Sequence, residues 1–303
     1  MEEHRATGVN PFTTCRVGPS AEGNGDLMDH VAQFHREVSA FETAVRRAAE
    51  ADSAALVPSC PGWSVSDLVG HLGGVHRFVA HLVRERIVEQ PDALANLVDD
   101  SPAAGTDLTF LGLPENLEGW PRPEHAPNRG PVPVGLVDWF GEGARALESL
   151  FRGRDPDERV WTWSSDHTVG FWVRMQTIEA ALHRWDAENA LGAGRPIDAA
   201  LARDAIGQNF EVMAPYRRAR QHAPPGTGER YRFTESDGTH VWTVTFAGDD
   251  VRLDGGTGPC DVELAGTAAD LLLFLWQRIP ADRLRVRGDR GVLDRYFTLV
   301  PAV

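Results

Sequence analysis

Apolar residues at Val31, Phe34, Val38, Phe41 and Val45 recur every three or four positions. That period predicts a helix over Leu27–Glu50, with Asp26 as its cap. Pro61-Gly62 then interrupts the chain. Ser64 followed by Asp67 reads as a capping box, with Asp in place of the usual Glu or Gln, and opens a second helix from Val65 to about Glu89. Its Gly73-Gly74 pair weakens it locally and would let another backbone approach closely. Leu136, Trp139, Phe140, Ala144, Leu147, Leu150 and Phe151 define a third helix. A fourth runs over Phe171–Leu191 and stops at Gly192. Four amphipathic helices joined by uneven connections predict an antiparallel four-helix bundle.

Two stretches between the helices stand out. Residues 90–132 are rich in Pro, Gly, Asn and Asp. They are too long for a simple connector, so they form a functional flap or are partly disordered. Trp161–Gly170 reads as a loop with aromatic anchors. Pro196–Arg218 adds one bridging helix, and after Pro224-Pro225-Gly226 the texture changes. Tyr231–Glu235, Val241–Phe246 and Val251–Asp254 alternate β-branched and aromatic residues, with Asp237-Gly238 turning the first pair. Asp261–Leu264 is a further strand, Thr267–Gln277 a strongly apolar helix, and Leu284–Val286 and Val292–Phe297 a closing strand and helix. The fold class is therefore α+β: a bundle over 27–195 and a small α+β domain with a linking helix over 196–303.

Acidic residues outnumber basic ones 44 to 30 among 303 residues, for a formal net charge of −14. Such a surface argues against nucleic acid or an anionic membrane as partner. No run of about 18 apolar residues suggests a membrane span. Residues 1–26 lack the apolar centre of a signal peptide and read as a disordered leader. Cys15, Cys60 and Cys260 are few, odd in number and far apart, which fits a reducing cytoplasm.

The candidate chemistry lies in Thr177–Asp186, TIEAALHRWD. Glu179 and His183 are four apart on one helix, so their side chains share a face one turn apart and can close on one divalent ion. His71, in the second helix, supplies a third ligand. Two histidines and a carboxylate suit zinc or another divalent metal and leave a coordination position open, as catalytic sites do. The blander alternative buries His71 and His183 among hydrogen-bonding neighbours and pairs Glu179 with Arg174 or Arg184. The face shared with Met175, Ile178 and Leu182 favours a site, because burying such groups unpartnered costs roughly 2–7 kcal/mol each. His76 lies too far round the helix from His71 to join it. Asp166 and His167 read as surface loop, and the tryptophans at 161, 163, 172 and 185 as core. Cys60 precedes a helix start, where a thiolate is favoured, but no histidine neighbours it in sequence. Nucleophile-elbow and phosphate-loop motifs are absent, and Gly255–Gly258 reads as a turn.

Cys60-Pro61-Gly62-Trp63-Ser64-Val65, continued by Asp67–Gly74 (DLVGHLGG) and by Glu179–Asp186 (EAALHRWD), resembles the mycothiol-dependent maleylpyruvate isomerases. Asp261–Arg278 and Val286–Asp289 resemble that family's small C-terminal domain. The resemblance implies a DinB-like bundle that binds zinc through His71, Glu179 and His183, the set reached above from spacing. It also implies a tail-domain arginine near the thiol cofactor, for which Arg278 is the nearest match. The leader and the length of 90–132 depart from the family pattern, which leaves the substrate open.

The implied chemistry is a zinc-bound thiolate, mycothiol by resemblance, adding to a small electron-poor alkene or an epoxide. Expulsion after bond rotation makes an isomerase; retention of the adduct makes an S-transferase. A carboxylate-bearing substrate would call for an arginine clamp, with Arg174 and Arg278 as candidates. Two other readings remain: a zinc-hydroxide hydrolase or lyase needing no thiol, and a non-catalytic binding module. The expected partners are small molecules only, with the chain a monomer or homodimer.

Overall fold

The computed structural model describes residues 28–91, 107–256 and 258–302. The sequence reading of residues 1–26 lies outside these, as does part of that of 90–132. Helix α1 spans His30–Ala48, α2 Val65–Glu85, α3 Val134–Gly153 and α4 Val169–Ala190. The cap of α1 is Asp29, which accepts from the Ala32 amide. The capping box of α2 forms as read, and the helix stops early because Arg86 turns left-handed. Thr168 caps α4, which therefore starts two residues before Phe171. Leu191 and the left-handed Gly192 end it.

Cross-helix pairs fix the direction of each helix. His35 meets Glu148 and Arg46 meets Asp138, so α1 and α3 are antiparallel. Thr177 bonds the His30 carbonyl and Arg184 pairs with Glu37, so α1 and α4 are parallel. Gly73 abuts Trp139, and Arg77 reaches Glu142, so α2 and α3 are parallel too. Consecutive helices alternate except at the α2–α3 step. There the chain must travel back along a helix of 21 residues, about 30 Å. The Pro/Gly-rich stretch is this crossover.

The described part of the crossover, 107–133, runs back down α2. Phe110 stacks on His81, the Leu111 carbonyl accepts from the Trp139 indole, and Pro121 faces Gly70. Asn128 donates its backbone N–H and its side-chain amide to Asp67. The capping carboxylate of α2 thus also pins the end of the crossover.

Gly73 accommodates a side chain here, not a second backbone. A Cβ there would lie 2.3 Å from a ring carbon of Trp139. That ring cannot yield, because its indole bonds Leu111, Trp120 packs edge-on and Arg77 covers it. Gly73→Ala should therefore destabilise by about 1–2 kcal/mol despite the gain in helix propensity. Gly74→Ala, with open space around it, should stabilise by up to about 1 kcal/mol. Urea denaturation of the two variants checks both signs.

Beyond the bundle, α5 (Ala199–Gln208) passes through a π turn at Asn209–Met213 into α6 (Ala214–Arg220), where a single helix was expected. The sheet has order β3-β2-β1-β4-β5, with β1 Gly226–Glu235, β2 Val241–Gly248, β3 Asp250–Asp254, β4 Val262–Gly266 and β5 Arg285–Gly288. Only β1 and β4 pair in parallel. Helices α7 (Ala268–Leu275) and α8 (Arg290–Leu299) cover one sheet face. There Tyr231, Phe233, Phe246, Leu264, Phe274 and Tyr296 form a second core.

Helix α4 belongs to both cores. Trp172, Met175, Ala180 and Ala187 face the bundle, whereas Ile178, Ala181 and Leu182 pack into the sheet domain. A helix buried on two sides shows little amphipathic contrast. It is the common wall of the two halves, and it carries the candidate ligands.

Candidate metal centre

His71 on α2 and Glu179 and His183 on α4 converge where the bundle meets the C-terminal domain. One ligand atom from each lies within 4.8 Å of the others. His71 Nε2 is 3.3 Å from Glu179 Oε1, and the two imidazole rings stand 5.3 Å apart and nearly perpendicular. Ligand bonds of 2.0–2.2 Å in a tetrahedron imply ligand separations of about 3.3–3.6 Å. The donor set and its spacing therefore fit a divalent metal.

The surroundings orient these groups. The Gln176 side-chain amide donates to Glu179 Oε2 at 2.8 Å. Burial would raise the Glu179 carboxyl, but the His71 bond and the neighbouring imidazoles hold it down at about 2. Among the described residues no arginine bonds it. Arg184 is bound to Glu37 and Glu188, and Arg174 to Asp204 and Glu211. Arg174, offered by the sequence as a substrate clamp, has its guanidinium taken up by the α5 side of the molecule. Trp63 lies against His71, with ring centres 4.9 Å apart. The His71 side chain is 35% exposed, so the centre opens to solvent on the α2 side.

Behind the candidate ligands sits Asp186, fully buried, three residues after His183. It accepts from His183 Nδ1 at 3.0 Å, which leaves Nε2 for the metal side. It also accepts from the Ser59 hydroxyl at 2.6 Å, the Cys60 thiol at 3.4 Å and Arg278 at 3.0 and 3.2 Å. Burial would raise this carboxyl, but the His183 bond and the Arg278 charge hold it well below the usual range. Burial pushes the His183 imidazole down, against the pull of Asp186. Burial, then the Asp186 charge, pushes the Cys60 thiol up to about 12. Cys60 therefore stands as a neutral thiol beside Arg278 and not as a thiolate nucleophile. Cys60, His183 and Asp186 are also close enough to share an ion, but Arg278 already supplies the cation there.

The model of the family described as "Mycothiol maleylpyruvate isomerase N-terminal domain" matches residues 34–188, and that of the "MDMPI C-terminal domain" matches 200–295. The chain belongs to the mycothiol maleylpyruvate isomerase family. A crystal structure of a histidine-to-alanine mutant of the mycothiol-dependent maleylpyruvate isomerase aligns at TM-score 0.51 and 13% identity, over 86% of this chain and 93% of that one. The structure of that isomerase without the substitution aligns over the same shares at TM-score 0.49. At such identity the likeness attests the fold. No curated protein sequence matches the chain.

Within this isomerase-family fold, the sequence reading missed Asp186 and Ser59. Asp186 was legible, since a carboxylate three residues after a ligand histidine shares its helix face. Ser59 carried no signal. His76, set apart from the ligands on spacing, is fully buried between Phe34 and Phe140, with both ring nitrogens unpartnered. Asp166 and His167 bond within their own loop. Among the described residues no helix is long and apolar enough to cross a membrane.

His76 makes the fold sensitive to acid. Burial holds its imidazole at about 3, against 6.5 in the open chain. Between those values the unfolded chain binds a proton that the native chain does not. The His76 contribution to stability is thus full well above pH 6.5 and falls by about 1.4 kcal/mol per pH unit from there down to about pH 3. His76→Phe should remove this share of the slope and leave that of His183, whose imidazole burial also lowers. Metal-free wild type should lose about 2 kcal/mol between pH 7.5 and pH 5 through this residue. Urea titrations of both proteins at the two pH values measure the difference.

Proposed function

We propose that this chain is an isomerase or S-transferase that uses a small thiol, mycothiol, and a divalent metal, zinc, held by His71, Glu179 and His183. Its substrate on this reading is a small electron-poor alkene, of which a cis-enoate such as maleylpyruvate is the type suggested by the family. One observation carries the reading: a half-buried glutamate, with no arginine or lysine partner among the described residues, faces two imidazoles, one of them locked from behind by a carboxylate. When bound, the metal supplies Lewis acidity, which lowers the pKa of a ligand thiol below its free value of about 8.5.

The protein's own residues prepare that centre. Asp186 fixes the His183 tautomer and turns Nε2 forward. Gln176 holds one Glu179 oxygen and so aims the other. Arg278 brings a buried positive charge to the C-terminal side of the site, where it can face negative charge that develops on an acceptor carbonyl or carboxylate. Trp63 packs against one face of the His71 ring and limits its rotation.

The test is metal analysis of the purified protein together with turnover of a cis-enoate with and without added thiol. Stoichiometric zinc and thiol-dependent turnover are expected. Turnover without thiol would replace the reading by hydrolysis at a metal-bound water. Absence of both metal binding and turnover would leave a binding module.

A further inference from the structure

Arg217 on α6 is 3% exposed. Among the described residues no carboxylate or carbonyl accepts from its side chain, and its Nε is buried without a partner. The other buried arginines differ. Arg184 has two carboxylates, and Arg218 bonds the carbonyls of Leu299, Pro224 and Gly248. What Arg217 does have is the Trp276 ring, 4.2 Å from its guanidinium carbon. The Trp276 indole N–H is itself buried without a partner, whereas the Tyr296 hydroxyl lies against the Asn209 side chain and bonds it. Burial lowers the Arg217 pKa to about 10, with Tyr296 and Arg278 as the neighbouring titratable groups.

Arg278 stands on the same tryptophan, donating to the Trp276 carbonyl at 2.8 Å while its other edge holds Asp186. Two guanidiniums thus gather around Trp276 at the seam of the two cores, and the Asp186 carboxylate is taken by Arg278. What is left beside it offers donors only: the Arg217 guanidinium and the Trp276 indole N–H. Leaving a buried charge unpaired is costly, and a planar fork of donors matches a carboxylate.

We propose that Arg217, with the Trp276 indole N–H, forms a carboxylate-binding subsite that holds the acid group of the electrophile. The inference rests on the reading that a small electrophile is handled at this seam, and it assigns that electrophile to the carboxylic acids. Arg217 is then a specificity-determining residue contributed by the linking helix.

Calorimetric titration of the metal-free protein with maleate tests it, with maleamide as the uncharged control and inorganic phosphate as a competing anion. Wild type should bind maleate and not maleamide. Arg217→Gln should weaken maleate by about tenfold or more, the loss expected of a charge-assisted bond. Arg217→Lys keeps the charge over Trp276 but loses the fork, and should bind maleate several-fold more weakly than wild type. This variant carries the test if Arg217→Gln does not fold. Equal maleate binding by wild type and folded variants would overturn the subsite, as would no maleate binding by wild type. Phosphate binding as well as maleate would overturn its assignment to carboxylates. Because no metal or thiol is present, the outcome is separate from that of the proposed chemistry. Arg217-dependent maleate binding in a protein without thiol-dependent turnover would keep the subsite and remove the reaction.

Discussion

His183→Ala should strip the metal and abolish thiol-dependent turnover. His183 is the proposed ligand with the most built around it: helix α4 on both sides, Asp186 behind and His71 opposite. Losing a group that merely orients a ligand costs 10–100-fold in affinity, so losing the ligand should cost more than about 100-fold. The fold should survive, since removing this imidazole leaves Asp186 still paired with Arg278 and Ser59. Metal content after gel filtration and a thermal melt of the metal-free variant separate the two effects. Full zinc occupancy in a well-folded His183→Ala protein would sink the assignment.

Asp186→Asn should be the next most damaging change, though Asp186 is not itself a ligand. The substitution keeps the shape and removes the charge. His183 loses the acceptor that fixes its tautomer, and zinc affinity should fall about 10–100-fold. Arg278 loses its buried counter-charge, and breaking such a pair costs roughly 3–5 kcal/mol. A third readout is specific to this geometry. The Asp186 charge helps to push the Cys60 thiol up, so Cys60 should alkylate faster in the variant at the same pH. Unchanged zinc affinity and unchanged Cys60 reactivity would show that Asp186 does not orient the centre.

Much of this was readable from residue order because helical spacing is local. Glu179 and His183 share a face by arithmetic alone, and the capping box at Ser64 and Asp67 located the helix that brings His71. What could not be read depends on contacts across the chain. Arg278 reaches Asp186 from 92 positions away, and only the family resemblance pointed to it. Arg174 looked available because nothing local to it in sequence shows that Asp204 and Glu211 occupy its guanidinium. The purpose of 90–132 was hidden for a related reason. Its length was noticed, but a long connection is required only when two helices that follow one another point the same way, and direction is a tertiary fact. The π turn after Gln208 likewise left no mark on a period that continues smoothly into Arg218.

Helix α4 has a consequence for how the protein can be divided. Cutting the chain after Gly192 would leave Ile178, Ala181 and Leu182 facing water and would take away the guanidinium that neutralises Asp186. The bundle so obtained would be a sticky fragment with a stranded anion beside its ligands, not a smaller enzyme. The two halves therefore function as one inseparable machine, and neither could be exchanged for another module without rebuilding the partition between them.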